Sequence, residues 1–98
     1  MDIQLTTAMP VPSLIRTLLR ERAARLIEKH RHRFGNAFLS LHVKRVGKQV
    51  GCSASLFTDD GKYHSHVEGW DVRRVADDAL DSINNQVLKY FGKKLVYA

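Results

Sequence analysis

Seven side chains between residues 16 and 33 carry a positive charge: Arg16, Arg20, Arg22, Arg25, Lys29, Arg31 and Arg33. Six of them are arginines, whose planar guanidinium engages two oxygens of one phosphate at once. The chemistry this segment offers is therefore phosphate recognition. Only Glu21 and Glu28 oppose it, so most of the net charge of +6 is concentrated here. With 16 Lys and Arg against 10 Asp and Glu, the chain as a whole favours anionic partners such as nucleic acid or an acidic surface. Lys44, Arg45, Lys48 and Lys62 extend the basic set into the middle of the chain. The plain alternative is that these long side chains lie along the edges of a buried helix, solvated, with Glu21 and Arg25 forming an ordinary i,i+4 pair.

Other residue types that could do chemistry are sparse. His64 and His66 have the HxH spacing that, on a strand, lets two imidazoles converge on one metal, and His42 belongs to the same side. A meander would put another strand between His42 and that pair, and neither a nearby cysteine nor paired carboxylates complete a site, so the expectation is no metal and a solvated or RNA-facing sheet. His30 and His32, two apart on a helix, face different directions. Cys52 is the single cysteine, which excludes a disulfide framework within the chain and fits a reducing compartment. It lacks an activating base, and no glycine-rich phosphate loop or nucleophile elbow occurs. An enzyme, a cofactor site and a small-molecule substrate are accordingly not expected. The first residues lack a signal-peptide pattern and no apolar run reaches membrane-spanning length, so a cytoplasmic protein without a membrane partner is expected.

The elements that must position these groups follow from periodicity. Ile3, Leu5 and Thr7 alternate with polar residues as in a half-buried strand, which the prolines at 10 and 12 stop. Pro12 or Ser13 opens a helix and Gly35 sits where a left-handed C-cap belongs, bracketing roughly 13 to 34. At 100° per residue, Ile15, Leu18, Leu19, Ala23, Leu26, Ile27, His30 and Phe34 share one side of it. Arg16, Arg20 and Arg31 flank one edge of that stripe; Arg22, Arg25, Lys29 and Arg33 flank the other. Two further strands place Leu39, Leu41 and Val43, then Cys52, Ala54 and Leu56, inward, with a turn around Gly47. Asp60-Gly61 signals a hairpin into a strand with Tyr63, Ser65 and Val67 on one face.

Asp71 is a good N-cap for a second helix, with Trp70 placed to pack on Val75 as a hydrophobic staple. Val72, Val75, Ala76, Ala79, Leu80, Ile83, Val87 and Tyr90 line one side, and Gly92 ends the pattern. Arg73 and Arg74 stand i,i+4 to Asp77 and Asp78, a spacing for local pairs. The predicted order is βαβββα, an α+β domain spanning residues 1–98, with two helices on one face of a four-stranded sheet. The first helix is then a right-handed crossover between parallel strands.

This order, together with the text EGWDVRRVADDALDSINNQVLKY, resembles the ribosome hibernation promoting factor and ribosome-associated inhibitor (protein Y) family. The residues that carry the likeness are Glu68, Gly69 and Asp71 at the strand-to-helix junction, then Asp77, Ala79, Asp81, Gln86, Lys89 and Tyr90. The resemblance covers nearly the whole chain and is closer to the short form of the family. It implies a fold like a double-stranded RNA-binding domain. It also implies a partner, the small ribosomal subunit and its RNA, and a function: occluding the tRNA and messenger sites of the decoding region when growth stops. One departure is plain: the family usually carries Lys or Arg near the positions held here by Ser82, Asn85, Leu88 and Phe91. The alternative is a divergent member that uses the same fold as a protein-interaction or regulatory module away from the ribosome.

Overall fold

The computed structural model describes residues 2–31, 35–59 and 61–97, with residues 2 and 91–97 described by backbone alone. Strand β1 (Asp2–Thr7) leads into helix α1 (Ser13–Lys29), followed by β2 (Ala37–Val46), β3 (Gln49–Thr58), β4 (Lys62–Gly69) and helix α2 (Val72–Tyr97). The sheet order is β1-β2-β3-β4, with β1 parallel to β2 and the other neighbours antiparallel. This is the expected βαβββα arrangement. A parallel pair cannot be joined by a tight turn, so the chain between β1 and β2 crosses over the sheet as α1.

Alternation along the strands sends Leu39, Leu41, Val43, Cys52, Ala54 and Leu56 to one face, all nearly or wholly excluded from solvent. Leu19, Ala23, Leu26 and Ile27 of α1 and Val75, Ala76, Ala79, Leu80, Ile83 and Val87 of α2 close over them as one core. Alanines at 23, 76 and 79 let the helix backbones approach, while the leucines and Ile83 fill the volume between the layers. The thiol of Cys52 lies within this core, and burial pushes it up to about 12, so it stays protonated and inert near neutrality.

The ends of the elements depart from the sequence expectation in three places. Regular α1 stops at Lys29, and His30, with φ −114° and ψ 15°, closes it by donating its backbone N–H to Ile27 and Glu28 carbonyls. Gly35 does adopt φ +65°, but as the entry to β2, where the Asn36 N–H donates to Asp59 Oδ2 at 3.0 Å. Phe34 and Arg33 lie outside the described residues. Helix α2 runs through Gly92 to Tyr97, because glycine adopts helical angles at a cost of only about 1 kcal/mol. Trp70 is 72% exposed and staples nothing. Val75 instead packs against Gly69, with its Cγ2 2.8 Å from where a β-carbon at 69 would sit.

The turn and cap chemistry otherwise follows the sequence. Gly47, at φ +60°, turns the two-residue β2–β3 hairpin, whose flanking pair is Val46 and Gln49. Asp71 caps α2 through its carboxylate to the Arg73 N–H at 3.3 Å and its carbonyl to the Val75 N–H at 2.9 Å. Pro12 precedes α1 and Ser13 begins it, with no side-chain cap. Ile83 is fully buried between α2 and the sheet. Replacing it by alanine leaves a cavity there, and Ile83→Ala is expected to cost about 2–5 kcal/mol in urea unfolding, without change of fold by circular dichroism.

Candidate nucleic-acid interface

The two flanks of α1 face different surroundings. Arg22 turns toward α2, where its guanidinium meets Asp81 Oδ1 at 2.5 Å and Asp77 Oδ1 at 3.6 Å. Arg25 and Lys29 follow it along the same side and, with Leu26, Leu80, Asp81 and Asn84, line a shallow groove of about 100 Å³ between the helices. At the end of α1 His30, buried, places Nε2 2.8 Å from Asn84 Oδ1 and so ties the helices together. Arg20 lies exposed on the other flank and Arg16 half-exposed; neither forms an ion pair with another described residue. Arg31 pairs with Glu28 at 3.5 Å. Arg25 and Glu21 make no ion pair with each other, and Arg20, Arg25 and Lys29 are exposed to solvent.

The aspartates of α2 behave differently from the local pairing that their spacing suggests. No ion pair joins Arg73 to Asp77 or Arg74 to Asp78; Asp77 is drawn across to Arg22 instead. An i,i+4 pair on an exposed helix face contributes only a few tenths of a kcal/mol, so a partner on a packed neighbouring helix outcompetes it. Arg73 and Arg74 stay exposed at the start of α2.

Lys44 lies on the sheet face away from the helices, Arg45 and Lys48 at the β2–β3 hairpin, and Lys62 at the start of β4, all exposed. The predicted basic residues thus do not form one patch: they divide between the helical layer and the opposite side and end of the sheet. The register, which sequence alone could not supply, also builds a surface that charge counting missed. Thr6, His42, Ser53 and His66 form one row across all four strands, and Gln4, Ser40, Ser55 and His64 form the next. In the first row Thr6 Oγ1 lies 2.6 Å from His42 Nδ1 and Ser53 Oγ 2.8 Å from His66 Nδ1; in the second Ser55 Oγ lies 2.8 Å from His64 Nδ1. His66 Nε2 meets Glu68 Oε2 at 2.8 Å, so with that nitrogen donating, Nδ1 accepts the Ser53 hydroxyl.

These contacts bear on the HxH pair. One nitrogen of His64 and both of His66 are already engaged, and no group of three or more His, Cys, Asp or Glu is placed to hold a metal among the described residues. Added zinc is expected to leave the melting temperature unchanged; a rise that saturates with metal would show ligation at His64 and His66.

The residues that carried the family likeness now have physical roles. Gly69 admits Val75, Asp71 caps α2, Asp77 and Asp81 hold Arg22, and Ala79 lies wholly buried. Gln86 donates from Nε2 to the His64 carbonyl at 2.8 Å, satisfying a backbone acceptor of the edge strand β4, and Tyr90 meets Tyr63 edge-on with ring centroids 6.2 Å apart. Positions 82, 85 and 88 present Ser, Asn and a 43% exposed Leu88 along α2, without a basic row.

No family model and no curated protein matches this chain by sequence. Solved structures do. The N-terminal domain of Thermus thermophilus protein Y superposes with a TM-score of 0.77 at 22% identity, over 92% of this chain and 99% of that one. A ribosomal subunit interface protein from Coxiella burnetii gives 0.75 at 19% identity, over 94% and 99%. No helix among the described residues is long and apolar enough to cross a membrane. In element order and structural likeness alike, the chain has the fold of the ribosome hibernation promoting factor and protein Y family that its sequence resembles.

Proposed function

We propose that this chain, acting as one domain over residues 1–98, associates with ribosomes in the cytoplasm, binding RNA of the small subunit at the decoding region and occluding tRNA and messenger sites. The observation that carries the reading is the free cationic surface of α1, on a fold shared with proteins described as protein Y and as a ribosomal subunit interface protein. Arg16, Arg20, Arg25 and Lys29 flank the core without filling it, so their charge is available to phosphates. Arg22 contributes less, being held by Asp77 and Asp81. Binding of this kind acts by occlusion and requires no catalysis.

The test is co-sedimentation with small ribosomal subunits. The wild-type chain is expected to pellet with subunits at low salt and progressively less as salt rises, because phosphate contacts release counterions. Reversing Arg16, Arg20, Arg25 and Lys29 to Glu is expected to abolish pelleting at moderate salt while circular dichroism remains that of the folded protein. Undiminished pelleting of that variant places the contact elsewhere.

A second reading rests on α2, whose surface exposes Asp78, Asp81 and Leu88 in place of a basic row. Such a face suits a protein surface better than RNA, and the chain would then serve as an interaction or regulatory module. A pull-down under native conditions discriminates: ribosomal proteins in the eluate favour the first reading, and a single non-ribosomal partner without them favours the second.

A further inference from the structure

The sheet face turned away from the helices ends in an aromatic pair. Phe38 of β2 and Phe57 of β3 are directly opposed in register, 36% and 40% exposed, with ring centroids 6.1 Å apart and planes tilted by 40°. Strand alternation fixes both rings on the uncovered side, because Leu39 and Leu56 beside them point into the core. Lys62, paired with Phe57 across β3 and β4, holds Nζ 5.1 Å from the Phe57 ring centroid. The next rows along the strands, spaced by about 6.8 Å, are the hydroxyl and imidazole rows, and beyond them on β2 comes Lys44.

Two large apolar rings left adjacent on an open face are costly in water unless a partner covers them. What surrounds them identifies the chemistry of that partner. A cation stands at the rim beside Phe57, Asp2 of β1 is the register partner of Phe38 on the other side, hydroxyl and imidazole groups continue the same face, and Glu68, the carboxylate of β4 on this side, is engaged by His66. A polar surround with Lys62 beside the rings and Lys44 further along the same face suits a ligand that combines flat apolar faces with anions and hydrogen-bonding edges. Single-stranded nucleic acid has that composition: bases stack on aromatic rings whatever their sequence, and lysines meet the intervening phosphates.

We propose that the open sheet face is a second nucleic-acid surface, a stacking platform on which Phe38 and Phe57 receive unpaired bases of single-stranded RNA. Lys62 neutralises the adjoining phosphate, and the hydroxyls of Ser53 and Ser55 with the second ring nitrogen of His64 supply hydrogen bonds to sugar and base edges. The platform lies on the opposite side of the sheet from α1 and does not depend on the ribosomal reading of that helix.

The experiment uses the full chain and a fluorescein-labelled, eight-nucleotide single-stranded RNA of mixed sequence, followed by fluorescence anisotropy. Phe38→Ala with Phe57→Ala is expected to weaken binding tenfold or more, and Phe38→Tyr with Phe57→Tyr to retain it, since tyrosine keeps the stacking surface. Thermal melting of each variant verifies the fold. Lys62→Ala is expected to weaken binding and reduce its salt dependence. The charge-reversed α1 variant is expected to bind the oligonucleotide more tightly than the double alanine variant does, so failure of the α1 reading in co-sedimentation leaves this result standing. Failure of the wild-type chain to bind the oligonucleotide, or equal affinity of wild type and the double alanine variant, overturns the platform.

Discussion

The parallel pairing of β1 with β2 is the constraint from which the rest of the molecule follows. Two adjacent parallel strands require the chain to return over the sheet, and the return is α1. With α2 packed beside it over the same layer of leucines, valines and small residues, both helices occupy one face and the other face stays bare. Every candidate binding group inherits its direction from that arrangement. One flank of α1 must face α2, the other must face solvent, and alternate strand residues must line an uncovered sheet.

The contact between the helices decides what each charge can do. Arg22 sits where the flank of α1 meets α2, and there it finds Asp77 and Asp81, while His30 and Asn84 join the helices further along. Exposed ion pairs of this sort contribute little to stability, roughly 1 kcal/mol or less, so their importance lies in orientation. They withdraw one guanidinium from the solvent-facing set and neutralise part of the acidic row of α2. Within the segment rich in aspartate and arginine at the start of α2, Asp77 and Asp81 orient one helix on the other and Asp71 caps the helix, while Arg73, Arg74 and Asp78 stay exposed. Gly69, Asp71, Ala79 and Gln86 act in the same sense: each removes a steric conflict or satisfies a backbone group.

The amino-acid sequence by itself determined the fold class, the element order and the inward set of each strand, because a period of two or of 3.6 leaves one face apolar and only one layered packing buries all such faces. It also determined the concentration of cations on α1 and the hairpin glycines. Tertiary structure alone decided where the helices stop, since apolar periodicity continues past the break at His30 and α2 runs on through the Gly92 at which the pattern ends. It decided that Trp70 stays in water and that Asp77 pairs across the helix interface instead of along its own helix, both being competitions between local spacing and a neighbour the sequence does not name. The rows of hydroxyl and imidazole and the Phe38–Phe57 pair arise only from strand register, which brings residues far apart in the chain to within a few ångströms.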